Sequence, residues 1–190
     1  MSEKLIVIGG TAAGLSAASK AKRVKPEMEI QVFEKSGYIS YGACGLPYFV
    51  GGMIAEPDDL VSLTVEQMTN KRGVPTYIHA EVTDIDRDGK TVTVKNLDNG
   101  EETVHTYDKL VIAAGARPIR PDIPGVDAEG VYYLRTVEDG IRLKHAVRAE
   151  SKGRAVIVGG GFIGLEVAEE MALSGVEAVS YTHLTLPTIA

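Results

Sequence analysis

Cys44 is the one cysteine among 190 residues. A thiol does nucleophilic or redox work as its thiolate, and positive potential at the sulfur favours that form. The residue sits in the run Ser40-Tyr41-Gly42-Ala43-Cys44-Gly45-Leu46-Pro47-Tyr48. Pro47 is of the kind favoured in the first turn of a helix. A helix starting there would aim its first amides toward the sulfur and favour the anion. The competing reading of a free cysteine is a buried structural residue.

Two glycine-rich turns lie on either side of this run. The first, Gly9-Gly10-Thr11-Ala12-Ala13-Gly14, follows the apolar run Leu5-Ile6-Val7-Ile8 and opens a helical pattern over residues 15–24. Small residues at such a turn let the backbone approach a pyrophosphate, whose charge the helix N-terminus stabilises. Residues 29–33 read as the next strand, and Glu34 follows it, placed to accept the hydroxyl hydrogens of an adenosine ribose. Thr11 stands where the G-x-G-x-x-G pattern has its middle glycine. The second turn, Gly159-Gly160-Gly161-Phe162-Ile163-Gly164, matches that pattern in full. It follows an apolar strand over 154–158, read as buried, and leads into a helix that carries Glu166, reaches Ser174 and stops at Gly175.

Lys20, Lys22, Arg23 and Lys25 crowd the end of the first helix, and Ser16, Lys20 and Arg23 share one face by their i, i+4, i+7 spacing. They read either as a solvated face capping the helix C-terminus or as a seat for a phosphate-bearing substrate. The four histidines, His79, His105, His145 and His183, lack metal-ligand spacing and read as surface or loop residues; no metal is expected.

Between the turns, Thr64-Val65-Glu66-Gln67 fits a capping box opening a short helix that ends near Gly73. Three strands are predicted over 80–86, 90–95 and 102–107, joined by hairpin signals at Asp88-Gly89 and Asn99-Gly100. A further apolar strand over 109–113 ends in Ala114-Gly115, small residues where a nucleotide would come close. Pro118, Pro121 and Pro124-Gly125 mark a stiff connection and a domain boundary. Thr136 to Asp139 caps a helix running to about residue 150. The elements predict an α/β fold: two Rossmann-like dinucleotide-binding units with an inserted antiparallel β-meander, the second unit incomplete.

The composition is that of an ordinary globular protein, 44% apolar and 24% charged. A net charge of -6 argues against a general nucleic-acid binder. A lone cysteine suits a reducing, cytoplasmic setting. The apolar runs are too short to span a membrane, and the early strand leaves no room for a signal peptide.

On Gly9 to Gly14 with Glu34, Ser40 to Tyr48, Tyr107 to Pro118 and Gly159 to Glu166, the chain resembles the FAD-dependent pyridine nucleotide-disulfide oxidoreductases. The similarity is to the single-cysteine branch: coenzyme A-disulfide reductases, NADH oxidases and peroxidases, and persulfide reductases. A C-x-x-x-x-C pair is excluded, since positions 39 and 49 are Ile and Phe. The resemblance implies that residues 1–117 belong to an FAD-binding domain and 118–178 begin an NAD(P)H-binding domain. It assigns FAD to Gly9, Gly10, Thr11, Ala12, Ala13, Gly14, Glu34, Lys35, Val82, Ala114 and Gly115. NADH or NADPH falls to Gly159, Gly161, Phe162, Ile163, Gly164 and Glu166. Cys44 becomes the redox nucleophile, with Ser16, Lys20, Arg23, Ser40 and Arg72 near a coenzyme A moiety.

The implied mechanism runs from NAD(P)H through flavin to Cys44 held in a mixed disulfide with coenzyme A, whose release regenerates the thiolate. Two alternatives keep the scaffold: an oxidase or peroxidase passing through a cysteine sulfenic acid, and a flavin redox sensor without turnover. The parent protein is expected to be a homodimer through a C-terminal domain. Residues 179–190 resemble the translated read-through of a transposase adapter used in sequencing libraries and are expected to be non-native. The residue that selects NADH or NADPH, about 20 positions past Gly164, then cannot be read, and the chain by itself is expected to be inactive.

Overall fold

The computed structural model describes residues 2–149 and 153–181. The expected end of the helix at residue 150, His183 and residues 182–190 of the expected non-native stretch lie outside them. Contacts divide the chain into two compact units, residues 1–41 with 61–117, and residues 42–60 with 118–190. Residues 42–60, which hold Cys44, therefore cluster with the second unit although they precede the meander in sequence.

In the first unit, β1 (Lys4–Ile8), α1 (Ala12–Val24) and β2 (Glu29–Phe33) form the expected β-α-β. β3 (Thr76–Tyr77) and β7 (Lys109–Ile112) complete a parallel sheet of order β3-β2-β1-β7. β1 is buried on both faces, which is why its sequence is an uninterrupted apolar run. Leu5 and Val7 face a cluster with Leu15 and Ala18 of α1, Met68 and Val74. Ile6 and Ile8 face the opposite way, onto Phe33, Val92 and Val94. Each such side chain contributes about 1.5–3 kcal/mol of burial. The segment between the sheet strands opens with the reciprocal capping box: the Thr64 amide donates to Gln67 Oε1 (3.1 Å) and the Gln67 amide to Thr64 Oγ1 (3.2 Å). The turn it caps is π-helical over Gln67–Lys71.

The meander is β4 (Ala80–Asp86), β5 (Thr91–Asn96) and β6 (Glu102–Thr106), antiparallel throughout, with a bulge between Val82 and Asp84. Its first turn differs from the expected Asp-Gly form. The Asp86 carboxylate accepts the amides of Asp88 (3.0 Å) and Gly89 (2.9 Å), and Lys90 takes the positive φ of 50°. β5 accordingly begins at Thr91, one residue later than predicted. At the second turn Gly100 carries the positive φ, as the Asn-Gly pair requires.

His105 is not the surface residue predicted. It lies in β6, half-buried, its ring tilted on Phe33 with centroids 4.9 Å apart. Burial holds its pKa below the ordinary histidine value of 6.5. The folded chain therefore binds fewer protons than the unfolded chain between the depressed value and 6.5. Stability contributed by the neutral ring is present above 6.5 and is lost as pH falls through that interval. An NMR titration of the ring is expected to give a midpoint below 6.5, and His105→Phe is expected to flatten this part of the stability–pH curve. A midpoint at or above 6.5 would contradict the burial argument.

The second unit contains α2 (Leu46–Gly51), α3 (Val137–Ala149), β8 (Arg154–Val158), α4 (Phe162–Leu173) and β9 (Glu177–Tyr181). β8 and β9 pair in parallel, Val156 opposite Val179 and Val158 opposite Tyr181. Ala155, Ile157 and Ala178 pack on a cluster of Val50, Leu143, Val147, Val167, Met171 and Val176. The expectation of a buried β8 is corrected here. Val156 and Val158 stay 70% and 63% exposed, because among the described residues helices cover one face of this sheet only. A strand, β9, forms after Gly175, and residues 179–181, the first of the stretch expected to be non-native, lie in it.

Candidate functional site

The two glycine turns share their first and last glycines and the contacts these make. Gly9 and Gly159 both take positive φ, 105° and 121°, a region that other residues rarely enter. Their amides donate to the last carbonyl of the neighbouring strand, Gly9 to Phe33 (2.8 Å) and Gly159 to Tyr181 (2.9 Å). A Cβ on Gly14 would lie 1.9 Å from the Gly9 carbonyl oxygen, and one on Gly164 would lie 2.1 Å from that of Gly159. The third glycine of each turn is thus fixed by helix–strand contact. A Cβ on Gly9 would meet the Ala113 carbonyl at 2.2 Å, which brings the end of β7, with exposed Ala114 and Gly115, beside the first turn.

The turns differ at the middle position. Thr11 and Gly161 both occupy the N-cap in extended conformation, without a side-chain cap. A Cβ on Gly161 would meet no protein atom within 4 Å. Glycine there leaves an open cradle at the start of α4, with Phe162 (88% exposed) and Ile163 beside it and Glu166 half-buried one turn on. The first amides of α4 lie beside this open place, and a helix N-terminus of that kind favours a bound phosphate. Ala12 and Ala13 are exposed at the first turn of α1.

Glu34 does more than wait for a ribose. Its carboxylate accepts the Gly10 amide (2.6 Å), the Ser36 amide (2.8 Å) and the Ser36 hydroxyl (2.9 Å). A carboxylate accepts about four hydrogen bonds, so roughly one acceptor position remains for a ligand. The acid therefore braces the turn first. Gly10 is held on its other side as well, since a Cβ there would lie 2.8 Å from Ile39 Cγ2 and 2.9 Å from Glu34 Cβ. Ser40, at φ 48°, donates its amide to the Gly10 carbonyl (2.9 Å) and accepts from the Ser62 amide (2.8 Å). Lys35 pairs with Glu81 at 2.7 Å on the surface, and Val82 packs its side chain on the cluster around Phe33.

On α1, Ser16, Lys20 and Arg23 are all exposed, as the spacing predicts. Arg72 is brought to this helix: its Nη1 donates to Ser19 Oγ at 3.1 Å. Sequence reasoning gave Ser19 no part, although it lies one turn from both Ser16 and Arg23. Lys22 and Lys25 do not join the cluster. Lys22 donates to the Met28 carbonyl (2.9 Å) across the turn at the end of the helix, and Lys25 pairs with Glu3 before β1 (2.9 Å), so both are engaged by the chain itself.

Cys44 is exposed, which sets aside the buried structural reading. It occupies a 3₁₀ turn, Ala43–Gly45, running directly into α2, where Pro47 takes the early position expected of it. The Gly42 amide donates to the Leu60 carbonyl (2.9 Å) and the Gly45 amide to that of Gly42 (2.9 Å). A Cβ on Gly45 would lie 2.6 Å from Leu60 Cδ2 and 3.2 Å from Ile54 Cδ1, so the returning segment walls the turn. Among the described residues no group of three or more His, Cys, Asp or Glu could hold a metal ion, and no helix is long and apolar enough to cross a membrane.

This arrangement has close counterparts. The family model for pyridine nucleotide-disulphide oxidoreductases matches residues 3–185. The chain is 39% identical over 175 residues to the NAD(P)H coenzyme A polysulfide/persulfide reductase of Pyrococcus horikoshii, covering 92% of this chain and 38% of that protein. It is 37% identical over 172 residues to an NADH oxidase of Enterococcus faecalis, covering 90% of this chain and 38% of that protein. The crystal structure of reduced Bacillus anthracis CoADR-RHD superposes with a TM-score of 0.89 at 37% identity, covering all of this chain and 35% of that one. The chain thus spans less than two fifths of the length of these relatives. It belongs to the pyridine nucleotide-disulphide oxidoreductase family.

Proposed function

We propose that this chain is part of an NAD(P)H-dependent flavoenzyme in which Cys44 is the redox nucleophile, reducing coenzyme A disulfide or a related persulfide. The observation that carries the reading is an exposed, single cysteine in a chain with two dinucleotide turns. These 190 residues hold no second cysteine with which Cys44 could pair, and this reading takes a small-molecule disulfide or persulfide as its oxidised partner. The similarity to a coenzyme A polysulfide/persulfide reductase supports that class of partner.

FAD is assigned to the first turn, where Gly9, Gly10, Gly14 and Glu34 shape the anion seat and Ala114 and Gly115 adjoin it. The nicotinamide dinucleotide is assigned to the second, where the open cradle at Gly161 fits a pyrophosphate. When bound, the flavin supplies a two-electron relay from nicotinamide to sulfur. The chain's own residues hold the phosphates by backbone amides, brace the first turn through Glu34, and present the Cys44 sulfur to solvent. Ser16, Lys20 and Arg23, with Arg72 docked on Ser19 and with Ser40, are assigned to the substrate's phosphates. The parent protein acts as a homodimer.

In the thiol step, the Cys44 thiolate attacks one sulfur of coenzyme A disulfide, the S–S bond breaks, and one coenzyme A leaves as its thiolate. Incubating the chain with coenzyme A disulfide is expected to add one coenzyme A per chain by intact mass and to release one free thiol, with Cys44→Ser adding none. Absence of the adduct on folded wild-type chain would overturn the substrate assignment. A second reading is favoured by the similarity to NADH oxidases: Cys44 passes through a sulfenic acid. In that case hydrogen peroxide, followed by dimedone, labels Cys44 while coenzyme A disulfide does not.

A further inference from the structure

Lys144 is one of three polar or charged side chains among the described residues that are buried, with only 5% of its surface exposed. A buried lysine needs partners for all three of its ammonium hydrogens, or its burial is costly. Here Nζ donates to the Ile54 carbonyl at 2.9 Å and to the Ala55 carbonyl at 2.6 Å, and it stands 3.9 Å above the centre of the Phe49 ring. Burial, with Arg148 one turn along α3, pushes its pKa below the ordinary lysine value, while Glu56 and Asp59 act in the opposite sense.

The groups that Lys144 grips all belong to the segment that follows Cys44. The Ile54 amide donates to the Tyr48 carbonyl of α2 (3.2 Å), and Ile54 Cδ1 forms part of the wall against Gly45, the residue next to the thiol. One turn before Lys144 on α3, Gly140 lets the two helices approach: a Cβ there would lie 3.2 Å from Leu46 Cδ2 and 3.3 Å from Phe49 Cδ1. From α4, Ser174 Oγ donates to the Gly51 carbonyl at 3.2 Å. These contacts make a continuous path from the ammonium of Lys144, through the Ile54–Ala55 carbonyls and the Ile54 side chain, to the backbone of the cysteine turn.

We infer that Lys144 is a positioning residue for Cys44, fixing the return segment 52–60 against the turn that carries the thiol. The inference rests on the reading of Cys44 as the reacting group. Lys144→Met keeps an unbranched apolar stem but removes the ammonium and leaves two buried carbonyls without that donor.

The test uses the 190-residue chain and 5,5′-dithiobis(2-nitrobenzoic acid) as the thiol reagent, which with one cysteine per chain reports on Cys44 alone. Amide resonances are followed alongside. In Lys144→Met the rate of Cys44 modification is expected to rise by at least about threefold as the turn opens locally. The amide shifts are expected to concentrate in residues 42–45 and 52–60. Wild-type rates and unshifted resonances in that segment, in a folded variant, would overturn the inference. So would shifts spread evenly over α3 and α4 with an unchanged rate, the signature of a purely structural role. If Lys144→Met does not fold, Ile54→Ala decides the matter by the same outcomes, since it cuts the path while keeping both main-chain hydrogen bonds. The reagent needs neither flavin nor nicotinamide. Failure of coenzyme A to add to Cys44 would therefore remove the proposed function and leave the clamp standing, whereas unaltered reactivity would remove the clamp alone.

Discussion

Gly14→Ala is expected to destabilise the first unit by about 3 kcal/mol and to abolish retention of FAD. The added methyl would sit 1.9 Å from the Gly9 carbonyl oxygen, a main-chain atom, and 3.2 Å from Val7 Cγ1. No rotamer change relieves a clash with backbone. Either α1 moves off β1, or Gly9 leaves the positive φ at which its amide reaches the Phe33 carbonyl. The first choice opens the cluster of Leu5, Val7, Leu15 and Ala18, and the second dissolves the turn. Denaturant unfolding of variant and wild type measures the loss. A variant as stable as wild type would show that α1 and β1 separate without cost, contrary to the close packing of interiors.

Gly161→Ala is expected to behave in the opposite way. The backbone at Gly161, φ -76° and ψ 174°, is one that alanine adopts without strain, and its Cβ would meet no protein atom within 4 Å. Stability should hold or rise by about 0.5 kcal/mol, as the unfolded chain loses freedom. Binding of NADH should nevertheless weaken by at least about tenfold, because the methyl fills the space a pyrophosphate needs to reach the amides of the turn. A melting curve together with a fluorescence titration separates the two effects. Wild-type affinity for NADH in this variant would mean that the second turn does not seat the dinucleotide there. The two glycines differ in what surrounds them: Gly14 is closed in by the Gly9 carbonyl, whereas Gly161 faces open space. Thr11 carries a Cβ at the position equivalent to Gly161, so the first turn lacks the opening that glycine leaves in the second.

Much of this was legible in the chain because the forces involved are local. A glycine spacing sets the turn, and an Asn-Gly pair sets the second hairpin. Thr64 and Gln67 lie three residues apart and cap each other as their types predict. The continuous apolar run of β1 announced a strand covered on both faces, and β1 is so covered. The equally apolar run of β8 looked the same, yet its burial depends on what packs on each face, and Val156 and Val158 remain open. Periodicity reports what a strand can bury and not what arrives to bury it.

The remainder belongs to tertiary structure alone. Residue type made Cys44 a candidate nucleophile, but only the folded turn shows its sulfur exposed. Glu34 was found by its place after β2, while its use as a brace for Gly10 follows from two segments meeting. His105 looked like a surface residue until Phe33 was laid against it. Lys144, in the run Arg142-Leu143-Lys144-His145, was given no part by the sequence alone. Its position four residues after Gly140 and three before Val147 put it on the buried stripe, the one sign available. Its partners lie about ninety residues away along the chain. Local sequence encodes which backbone conformations are cheap. Which carbonyls a buried ammonium will meet is decided only when distant segments are brought together, and the amino-acid order near either end carries no trace of the pairing.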